Sequence, residues 1–401
     1  MGRLLLLSNG HGEDLSGSLL GQALQSEGHA VDALPLVGNG QPYRDAGIDL
    51  IGGTQEFSTG GLGYTSLRGR LTELLQGQVV YLLQRLLRLL RISRRYDLVV
   101  VIGDVIPVMA AWLCGRPVAT YLVAYSSHYE GRLRLPWPCA QCLRSSRFKA
   151  VFSRDQLSAD DLSSQLRKPV AFLGNPFMDP ILRDDRRLPR ARRRLGLLPG
   201  SRRPELEENL MLLLDVVEQL PAPLVCSGEL QLELALVSTL SDGALSDLVG
   251  TRGWSLETSE SGAASMLHRD AYRLQVRRGG FAAVLHSSDL LLCMAGTAAE
   301  QAIGLARPVL QLVGRGPQFT AGFAEAQRRL LGPTVFCAEG EAGSQSTLER
   351  TAALALELLE RSHLDRQLRQ RCQHEAQNRL GTAGGGARMA SSISQLLRAS
   401  A

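Results

Sequence analysis

Short apolar runs that end at a glycine turn recur along this chain, and a helical pattern follows each of them. Residues 4–7 are four leucines that run into a turn with Gly10 and Gly12, and residues 98–102 end at Gly103. Residues 290–294 end in the same way before Gly296. Uninterrupted apolar runs are typical of parallel strands buried on both faces, and their alternation with helices indicates βαβ units. We therefore expect doubly wound α/β domains.

The length of the chain predicts more than one such domain. It has 401 residues, more than the roughly 100–200 of one ordinary domain, so we expect two domains with a cleft between them. Two prolines and a charge run mark the boundary. The predicted parts are a Rossmann-like domain over 1–180, an arginine-rich linker over 181–194, a second Rossmann-like domain over 195–380, and a tail helix over 381–401 that packs back on the first domain.

The pattern also predicts individual elements. The predicted strands cover residues 4–7, 31–36, 98–102, 118–122, 150–152, 170–173, a segment near 197, 223–226, 290–294 and 309–312. The predicted helices in the second half cover residues 205–219, 298–304, 354–368 and 390–397, and the first helix of the chain is expected to begin near Leu15.

The composition indicates which classes of binding partner to expect. The formal net charge is +5, and the arginines that produce it crowd into 183–203 and 85–95, which favours phosphates on a small ligand or an anionic membrane. Aromatic residues make up 5% and form no stacking platform, so we expect no nucleic acid partner. Seven scattered cysteines indicate a reducing, cytoplasmic setting, and we interpret Cys139 and Cys142 as buried thiols rather than a metal site. No apolar run reaches the about 18 residues of a spanning helix, so membrane contact would be peripheral.

Polar residues follow two strands of the first half, at the carboxyl edge where open α/β sheets bind ligands. After residues 4–7 come His11 and Glu13, and after residues 98–102 comes Asp104. A histidine in a cleft can accept a hydroxyl proton near neutral pH, and an aspartate can act as the base or orient that histidine. Two simpler interpretations stay open: His11 as a turn residue, and Asp104 as a helix N-cap.

The second half repeats the strand-to-turn pattern twice. Gly200, Ser201 and Arg202 follow the strand near 197, and backbone N–H groups with a forked guanidinium can bind phosphate oxygens without a metal. Gly296 and Thr297 follow residues 290–294 and begin a helix, whose first turn also offers N–H groups to an anion.

Three further polar groups accompany these turns. Glu300 could accept hydrogen bonds from ribose hydroxyls, or could simply complement the helix dipole. After residues 309–312, Gln318, Glu325 and Gln327 could contact a sugar, although a solvated helix face explains the last two equally well.

Three segments carry a resemblance to a known family. LPGSR at 198–202, AGTAAE at 295–300 and FLGNPFMD at 172–179 resemble the motifs of lipid-A-disaccharide synthase and its relatives, above all the lipid-A-disaccharide-synthase-related branch. The resemblance spans most of the chain. It implies a GT-B fold: two facing Rossmann-like domains, with the acceptor on the first and a UDP-sugar on the second. It also implies inversion without a metal, and no cofactor besides the UDP-sugar as co-substrate.

The resemblance assigns roles to individual positions. Arg202 would contact the diphosphate, Gly296 and Thr297 the phosphate, Glu300 the ribose and Gln327 the donor. Asp104 would be the acceptor's base or its helper. The family's first loop reads GE-small-SGD, whereas here Asn9, Gly10, His11, Gly12 and Glu13 precede the aspartate, and a segment ending at His128 replaces a tryptophan-rich one. We take Asn9, Gly10, Gly12 and His128 as the predicted acceptor loop.

These observations predict a glycosyltransferase that moves an N-acetylglucosamine-type sugar from UDP-sugar to a lipid-linked or amphipathic acceptor, as in lipid A biosynthesis. The alternatives are an epimerase or hydrolase of the UDP-sugar and a non-catalytic nucleotide-sugar-binding scaffold. Leucines and arginines alternate at helical spacing over 82–95. That segment either contacts the inner face of the cytoplasmic membrane or packs its leucines into the domain core.

Overall fold

The computed structural model describes residues 1–54, 78–258, 265–314 and 319–400. Its contacts divide the chain into two compact units. The first comprises Met1–Asp179 with Gly381–Ala401, and the second comprises Pro180–Leu380. Each unit is built on its own twisted sheet with helices packed on it.

The first unit contains a seven-stranded sheet of order β3-β2-β1-β4-β5-β6-β7, in which all neighbouring strands are parallel. Its strands are β1 Arg3–Ser8, β2 Ala30–Pro35, β3 Asp49–Leu50, β4 Leu98–Ile102, β5 Val118–Leu122, β6 Phe148–Ser153 and β7 Ala171–Phe172. Its helices are α1 His11–Ser26, α2 Gln41–Asp45, α3 Gln78–Ile92, α4 Val105–Leu113, α5 Cys139–Arg144 and α6 Gln156–Leu166, with 3₁₀ turns at Ser93–Arg95 and Pro176–Met178.

The second unit contains an eight-stranded sheet of order β10-β11-β12-β9-β8-β13-β14-β15. Its strands are β8 Arg193–Leu198, β9 Leu230–Leu236, β10 Ser255–Thr258, β11 Ser265–Arg269, β12 Tyr272–Arg278, β13 Leu290–Cys293, β14 Val309–Gln311 and β15 Val335–Cys337. The helices are α7 Asp179–Arg183 at the junction, α8 Glu205–Val217, α9 Ala222–Cys226, α10 Asp242–Gly250, α11 Phe281–Ser287, α12 Gly296–Gly304, α13 Ala321–Leu331, α14 Gln345–Leu364 and α15 Arg366–Glu375, followed by a π-helical turn at Ala376–Leu380.

The order of strands in each sheet fixes where a ligand site can form. In the first sheet, β1 lies between β2 and β4, and the chain direction of the connections reverses there. In the second sheet, the same reversal occurs between β8 and β13. At such a switch point the loops that leave the two strands diverge to opposite faces of the sheet. A crevice therefore opens at the carboxyl ends of the strands.

Several element predictions need correction. Residues 223–226, predicted as a strand, lie in the short helix α9, and the next strand is β9, because Pro221 and Pro223 begin a helical turn readily. The parallel sheet expected for the second half also has an antiparallel edge, β10-β11-β12. The predicted helix over 354–368 is two helices, because Asp365 ends α14 and caps α15 by accepting from the Leu368 N–H at 3.0 Å.

The tail helix α16, Gly385–Ser400, packs on α1 of the first unit, where Met389, Ala390 and Ile393 are buried. The Asp179 carboxylate holds the start of the tail by accepting the N–H groups of residues 384–386 at 2.7, 3.0 and 2.9 Å. A Cβ on Gly385 would lie 2.7 Å from the Gly174 carbonyl oxygen, so only glycine allows this close backbone approach.

Apolar side chains fill both faces of the two sheets. In the first sheet the four leucines of β1 are fully buried, as their uninterrupted run predicts for a central strand covered on both faces. In the second sheet Leu195 and Leu197 of β8 are likewise fully buried. Among the described residues, none of the helices combines the length and apolar character needed to span a bilayer.

Candidate functional site

The strand register brings two polar loops of the first unit together. Ser8 at the end of β1 pairs with Ile102 at the end of β4, so the segments that begin with Asn9 and Gly103 leave the sheet side by side. A Cβ on Gly103 would lie 2.6 Å from Glu13 Oε2, so the Glu13 carboxylate packs directly against the Gly103 backbone. The carboxyl edge of the first sheet is therefore an acidic site.

Asn9 connects the two carboxylates of this edge. Its backbone N–H donates to Glu13 Oε2 at 2.7 Å, and its side-chain amide lies 3.5 Å from both carboxylate oxygens of Asp104. Burial, and secondarily the charge of Asp104, raises the pKa of Glu13 well above its ordinary value. Burial also raises the pKa of Asp104, against hydrogen bonds from Ile106 and Asn9 that favour the charged form. Burial thus shifts both carboxyls toward the protonated form.

A third carboxyl lies just beneath them. Asp14 is fully buried, and its Oδ1 accepts a 2.6 Å hydrogen bond from the Ser8 hydroxyl, which itself accepts from the Tyr43 hydroxyl at 2.9 Å. Burial raises the pKa of Asp14 to about 7. A Cβ on Gly17 would lie 2.1 Å from the Tyr43 hydroxyl oxygen, so a glycine in α1 admits the tyrosine. No local pattern indicates a role for Tyr43, because its hydrogen-bond partner Ser8 lies 35 residues away at the end of β1.

Asp104 also serves as the N-cap of α4. Its Oδ1 accepts from the Ile106 N–H at 2.9 Å, and the helix begins at Val105 rather than after Pro107. Tyr125, after β5, accepts from the Val105 N–H at 2.9 Å through its hydroxyl oxygen. The N-cap interpretation is therefore correct in geometry. It does not conflict with a chemical role, because the cap fixes the carboxylate at the edge of the sheet.

His11 and His128 are the two histidines that the sequence predicted for this site. His11 is the first residue of α1, four residues earlier than expected, and its side chain lies outside the described part of the chain. Gly10 precedes the helix with φ of 150°, and the exposed Gly12 lies in its first turn. His128 is half-buried with its Nε2 3.7 Å from Asp155 Oδ1.

Two aspartates hold the segment that ends at His128. Asp155 is the N-cap of α6, and Asp161 lies within that helix. Ser126 Oγ donates to Asp155 Oδ2 at 2.7 Å, and Ser127 Oγ donates to Asp161 Oδ2 at 2.9 Å. The segment that replaces the family's tryptophan-rich stretch is therefore a hydrogen-bonded turn.

The carboxyl edge of the second sheet is organised by a residue that the sequence analysis missed. Cys293 pairs with Leu198, so β13 and β8 end together. Asn209 in α8 is buried, and its Nδ2 donates to the Pro199 carbonyl at 3.0 Å and contacts the Met294 carbonyl at 3.4 Å. A Cβ on Gly314, after β14, would lie 3.4 Å from Asn209 Oδ1. One amide thus links two strand-end loops and lies beside a third. The available signal was an asparagine inside an apolar helical run.

Two of these turns depend on glycine or on a helix end. Gly200 has a φ of 104°, and a Cβ there would lie 3.3 Å from the Met294 carbonyl oxygen. The first turn of α12 follows Ala295, whose methyl group cannot cap it, so its N–H groups receive no side-chain acceptor from the N-cap position. Such a helix end is suited to an anion, because unpaired N–H groups and the dipole both favour negative charge.

Gln327 lies next to this helix end. A Cβ on Gly296 would lie 3.7 Å from Gln327 Nε2 and 3.7 Å from Phe323 Cζ, both carried by α13. Gln327 is 8% exposed, and its Oε1 has no hydrogen-bond partner among the described residues. A buried amide oxygen without a partner is costly in free energy. A ligand hydroxyl or N–H at this position would satisfy it.

The remaining predicted donor residues occupy varied positions. Ser201, Arg202 and Thr297 are exposed at the turns, and Glu300 is half-buried in α12. Glu325 pairs with Arg328 and Arg329 on its own helix, at 2.7 and 2.9 Å, and these hydrogen bonds lower its pKa to about 2. The Glu325 carboxylate is therefore bound by two arginines of its own helix, α13. The prediction for Gln318 lies outside the described residues.

The two edges offer different chemistry. The first presents Glu13 and Asp104, two partly desolvated carboxyls whose pKa values are raised, which suits proton transfer. The second presents backbone N–H groups and amides, which suits an anion. Within the parts of the chain that the structure describes, no three His, Cys, Asp or Glu side chains come together as a metal site would require.

Comparison with known proteins defines the class of fold. No family model and no curated protein sequence matches the chain. Solved structures do match it along nearly its whole length. The calicheamicin glycosyltransferase CalG4 has a TM-score of 0.59 at 17% identity, covering 99% of this chain and 98% of its own.

The matches also include sugar-nucleotide epimerases. A protein assigned as a UDP-N-acetylglucosamine 2-epimerase from Listeria monocytogenes has a TM-score of 0.57 at 16% identity, covering 99% of this chain and 96% of its own. The UDP-GlcNAc 2-epimerase from Neisseria meningitidis, solved with UDP-GlcNAc, has a TM-score of 0.51 at 14% identity, covering 98% and 100%.

These similarities show the fold. The chain has two Rossmann-like α/β units with largely parallel sheets, the GT-B fold that the sequence predicted. Identities of 14–17% carry no further conclusion about activity. The resemblance to lipid-A-disaccharide synthase remains a prediction from the three motifs.

Proposed function

We propose that this protein is a glycosyltransferase that takes a sugar from a UDP-sugar and places it on a hydroxyl of a lipid-linked or amphipathic acceptor. The observation that carries the proposal is the arrangement around Asn209. Three loops meet there, beside a helix end whose N-cap residue offers no side-chain acceptor and a buried Gln327 oxygen without a partner. This arrangement is suited to a nucleotide diphosphate with a polar group attached.

The donor would bind at the carboxyl edge of the second sheet. Its diphosphate would accept from the first N–H groups of α12 and from Gly200, Ser201 and Arg202, and Thr297 would add a hydroxyl. Glu300 would accept from ribose hydroxyls, and Gln327 would bond the sugar-phosphate part of the donor. These groups would stabilise the charge that develops on UDP as the sugar leaves.

The acceptor hydroxyl would be deprotonated at the carboxyl edge of the first sheet. In the proposed step the acceptor oxygen forms a bond to the sugar's anomeric carbon, the bond from that carbon to UDP breaks, and the acceptor proton passes to Asp104. Glu13 would hold a proton beside this base, because burial and the charge of Asp104 raise the pKa of Glu13. His11 is the other candidate base, and Asn9 with His128 would contact the acceptor.

The finer parts of the proposal rest on the three sequence motifs. They support an N-acetylglucosamine-type sugar, inversion without a metal and a place in lipid A biosynthesis. Contact with the inner face of the cytoplasmic membrane through residues 82–95 is supported separately, by the helical spacing of leucines and arginines in that segment. The Neisseria meningitidis structure was solved with UDP-GlcNAc bound, which supports a donor that carries an N-acetylglucosamine-type sugar.

Calorimetric titration with UDP and UDP-GlcNAc tests the donor site. The wild-type protein should bind both, and Arg202→Ala and Glu300→Ala should bind each more weakly. Arg366→Ala, an exposed arginine of the same unit, is the matched control and should bind as the wild type does. Absence of binding by folded wild-type protein would remove the transferase proposal and favour the scaffold alternative.

An epimerase is the second candidate, because several of the matching structures carry that name. The paired carboxyls of the first unit could move a sugar-ring proton as well as an acceptor proton. Incubation with UDP-GlcNAc alone, followed by NMR of the sugar, distinguishes the two. New sugar-nucleotide signals without any acceptor would identify an epimerase, and free sugar would identify a hydrolase. Conversion that begins only when a lipid extract is added would identify a transferase.

A further inference from the structure

Helix α3 exposes a row of leucines to solvent. Leu89 is fully buried in the core, but Leu83, Leu87 and Leu90 are 55, 45 and 36% exposed. They are spaced by four and three residues, which places them on one face of the helix. The leucines of this helix therefore lie on two faces. One face is buried in the core, as one of the two alternatives predicted, and the other is exposed to solvent.

Helix α4, a neighbour of α3, also exposes large apolar side chains. It packs beside α3, and its Met109, Trp112 and Leu113 are 37, 38 and 48% exposed. Among the described residues, six of the ten large apolar side chains that are exposed lie on these two neighbouring helices. Scattered exposed leucines are ordinary, whereas a cluster of this kind marks an interaction surface. We call these six residues the apolar face.

The charged residues on α3 and on the turn after it have one sign. Arg88, Arg91, Arg94 and Arg95 are exposed on α3 and the turn after it, and residues 78–96 and 105–116 contain no aspartate or glutamate. The Arg147 guanidinium lies 5.5 Å from the centre of the Trp112 ring. A cationic rim around an apolar centre is complementary to a surface that is anionic at its boundary and apolar beneath.

One arginine of α3 has a different role from the others. Arg85 is buried, where it donates to the Tyr81 hydroxyl at 3.0 Å and to the Ile51 carbonyl at 3.3 Å. The bond to Ile51, together with the buried Leu89, attaches α3 to the rest of the first unit, so the exposed leucines are held on the opposite side of the helix. A preformed surface binds with a smaller loss of conformational entropy.

We infer that α3 and α4 together form a docking surface for an anionic lipid bilayer. Leucine, methionine and tryptophan side chains enter the headgroup boundary, and the arginines contact lipid phosphates. A second copy of the chain fits this surface less well, because a symmetric pairing would place the arginine rims against each other. The inference rests on the membrane contact in the proposed function and deepens it, since it adds α4 to the segment that the sequence suggested and needs no nucleotide.

Co-sedimentation of the full-length protein with vesicles tests the inference. One vesicle preparation is phosphatidylcholine alone, and the other also contains phosphatidylglycerol. Wild-type protein should bind the anionic vesicles, and more weakly at high salt because screening weakens the arginine contacts. Leu83→Ser/Leu87→Ser should weaken binding at least about tenfold, since two leucine side chains no longer leave water. Arg88→Gln/Arg91→Gln should weaken it at least about tenfold on anionic vesicles only.

Matched controls keep the experiment specific. Leu157→Ser and Leu364→Ser replace leucines that are 41 and 74% exposed elsewhere, and Arg366→Gln/Arg371→Gln removes two exposed arginines of the second unit. All three should bind vesicles as the wild type does. UDP titration of Leu83→Ser/Leu87→Ser should be unchanged, because the nucleotide turns belong to the other unit. A failure of nucleotide binding would therefore be separate from a failure of vesicle binding.

Tryptophan quenching by brominated lipids locates the contact. Trp254 is buried, so Trp112 and Trp137 are the two reporters at the surface. Trp137→Phe should keep quenching through Trp112. The inference is overturned if wild-type protein ignores anionic vesicles, if the controls lose as much binding as the patch variants, or if Trp137→Phe abolishes quenching. A dimer in sedimentation velocity that Leu83→Ser/Leu87→Ser dissociates, without vesicle binding, would assign the apolar face to a second copy instead.

Discussion

The carboxyl edges of the two sheets share one backbone arrangement but carry different side chains. Each lies at the reversal of its strand order, and each places a glycine turn beside a helix start. The first edge gathers Glu13, Asp14 and Asp104, with raised pKa values. The second is organised by amides, Asn209 and Gln327, around backbone groups.

This difference separates the two chemical tasks that the proposed sugar transfer requires. Desolvated carboxyls exchange protons near neutral pH but repel phosphate, whereas amides and helix N-termini bind phosphate but do not take up protons. Placing the two sets in different units allows each to be optimised independently. The same backbone architecture thus supports opposite electrostatics, and side chains at the strand ends decide which.

The largest expected effect is at Asp104. Asp104→Asn should retain the cap on α4, since asparagine caps well, but an amide cannot take up a proton. UDP release from UDP-GlcNAc in the presence of a lipid extract should fall about 10²–10⁴-fold, while calorimetric UDP affinity stays unchanged. Asp365→Asn, at the N-cap of α15, controls for loss of a capping carboxylate. Full activity of Asp104→Asn would exclude Asp104 as the base.

Asp14 should impose a pH dependence on folding. The folded protein keeps its proton up to about pH 7, whereas the unfolded chain releases it near pH ~4. Unfolding therefore releases a proton between these values, so this contribution lowers stability as pH rises from about 4 to 7 and is constant above.

Asp14→Asn should flatten that profile. We expect the variant to gain roughly 2–4 kcal/mol relative to the wild type between pH 4 and pH 8, measured by urea unfolding. Asp45→Asn, at an exposed carboxyl, should change the profile little. A wild-type profile without this fall would mean that Asp14 is ionised in the folded protein.

Substitution of Asn209 tests whether the loops at the carboxyl edge of the second sheet depend on one side-chain amide. Asn209→Ala leaves the Pro199 and Met294 carbonyls without their side-chain donor and should destabilise the protein by roughly 1–3 kcal/mol. It should also weaken UDP binding, because the loops that form the site are no longer held together. Chemical unfolding and calorimetry measure the two effects, with the exposed Asn378→Ala as control. Unchanged UDP affinity would separate the amide from the binding site.

Gln327 should show a trade-off between stability and binding. Gln327→Leu removes a buried oxygen that lacks a partner and should stabilise the protein by about 1 kcal/mol. The same change should weaken UDP-sugar affinity about tenfold, equal to about 1.4 kcal/mol, because the donor loses a hydrogen bond. Thermal unfolding and calorimetry on one preparation measure both quantities, and Gln373→Leu on the surface is the control. A variant that is less stable would show that Gln327 is satisfied in the free protein.

The smallest effect is expected at Glu325. Its partners Arg328 and Arg329 lie on the same exposed helix face, where ion pairs contribute about 0.5 kcal/mol or less. Glu325→Gln should leave both unfolding free energy and UDP affinity nearly unchanged. A marked loss of donor binding would mean that Glu325 leaves its arginines when the sugar binds, and would restore the role that the sequence suggested for it.

Local patterns in the sequence were sufficient for the strands that lie in the centre of each sheet. The runs at 4–7, 98–102 and 290–294 are central strands as predicted, because a strand buried on both faces must be apolar throughout. The antiparallel strands β10–β12 were missed, because half-buried edge strands alternate polar and apolar residues and give a weaker signal.

The sequence by itself determined the two α/β units, the glycine turns and the polar residues that follow the strands, since each depends on neighbouring residues alone. Tertiary structure decided which of those residues meet. The link from Asn209 to two loops, the Ser8–Asp14–Tyr43 chain and the exposed side of α3 all depend on contacts between distant segments. Strand order and register bring these segments together, and neither is encoded in any single local pattern.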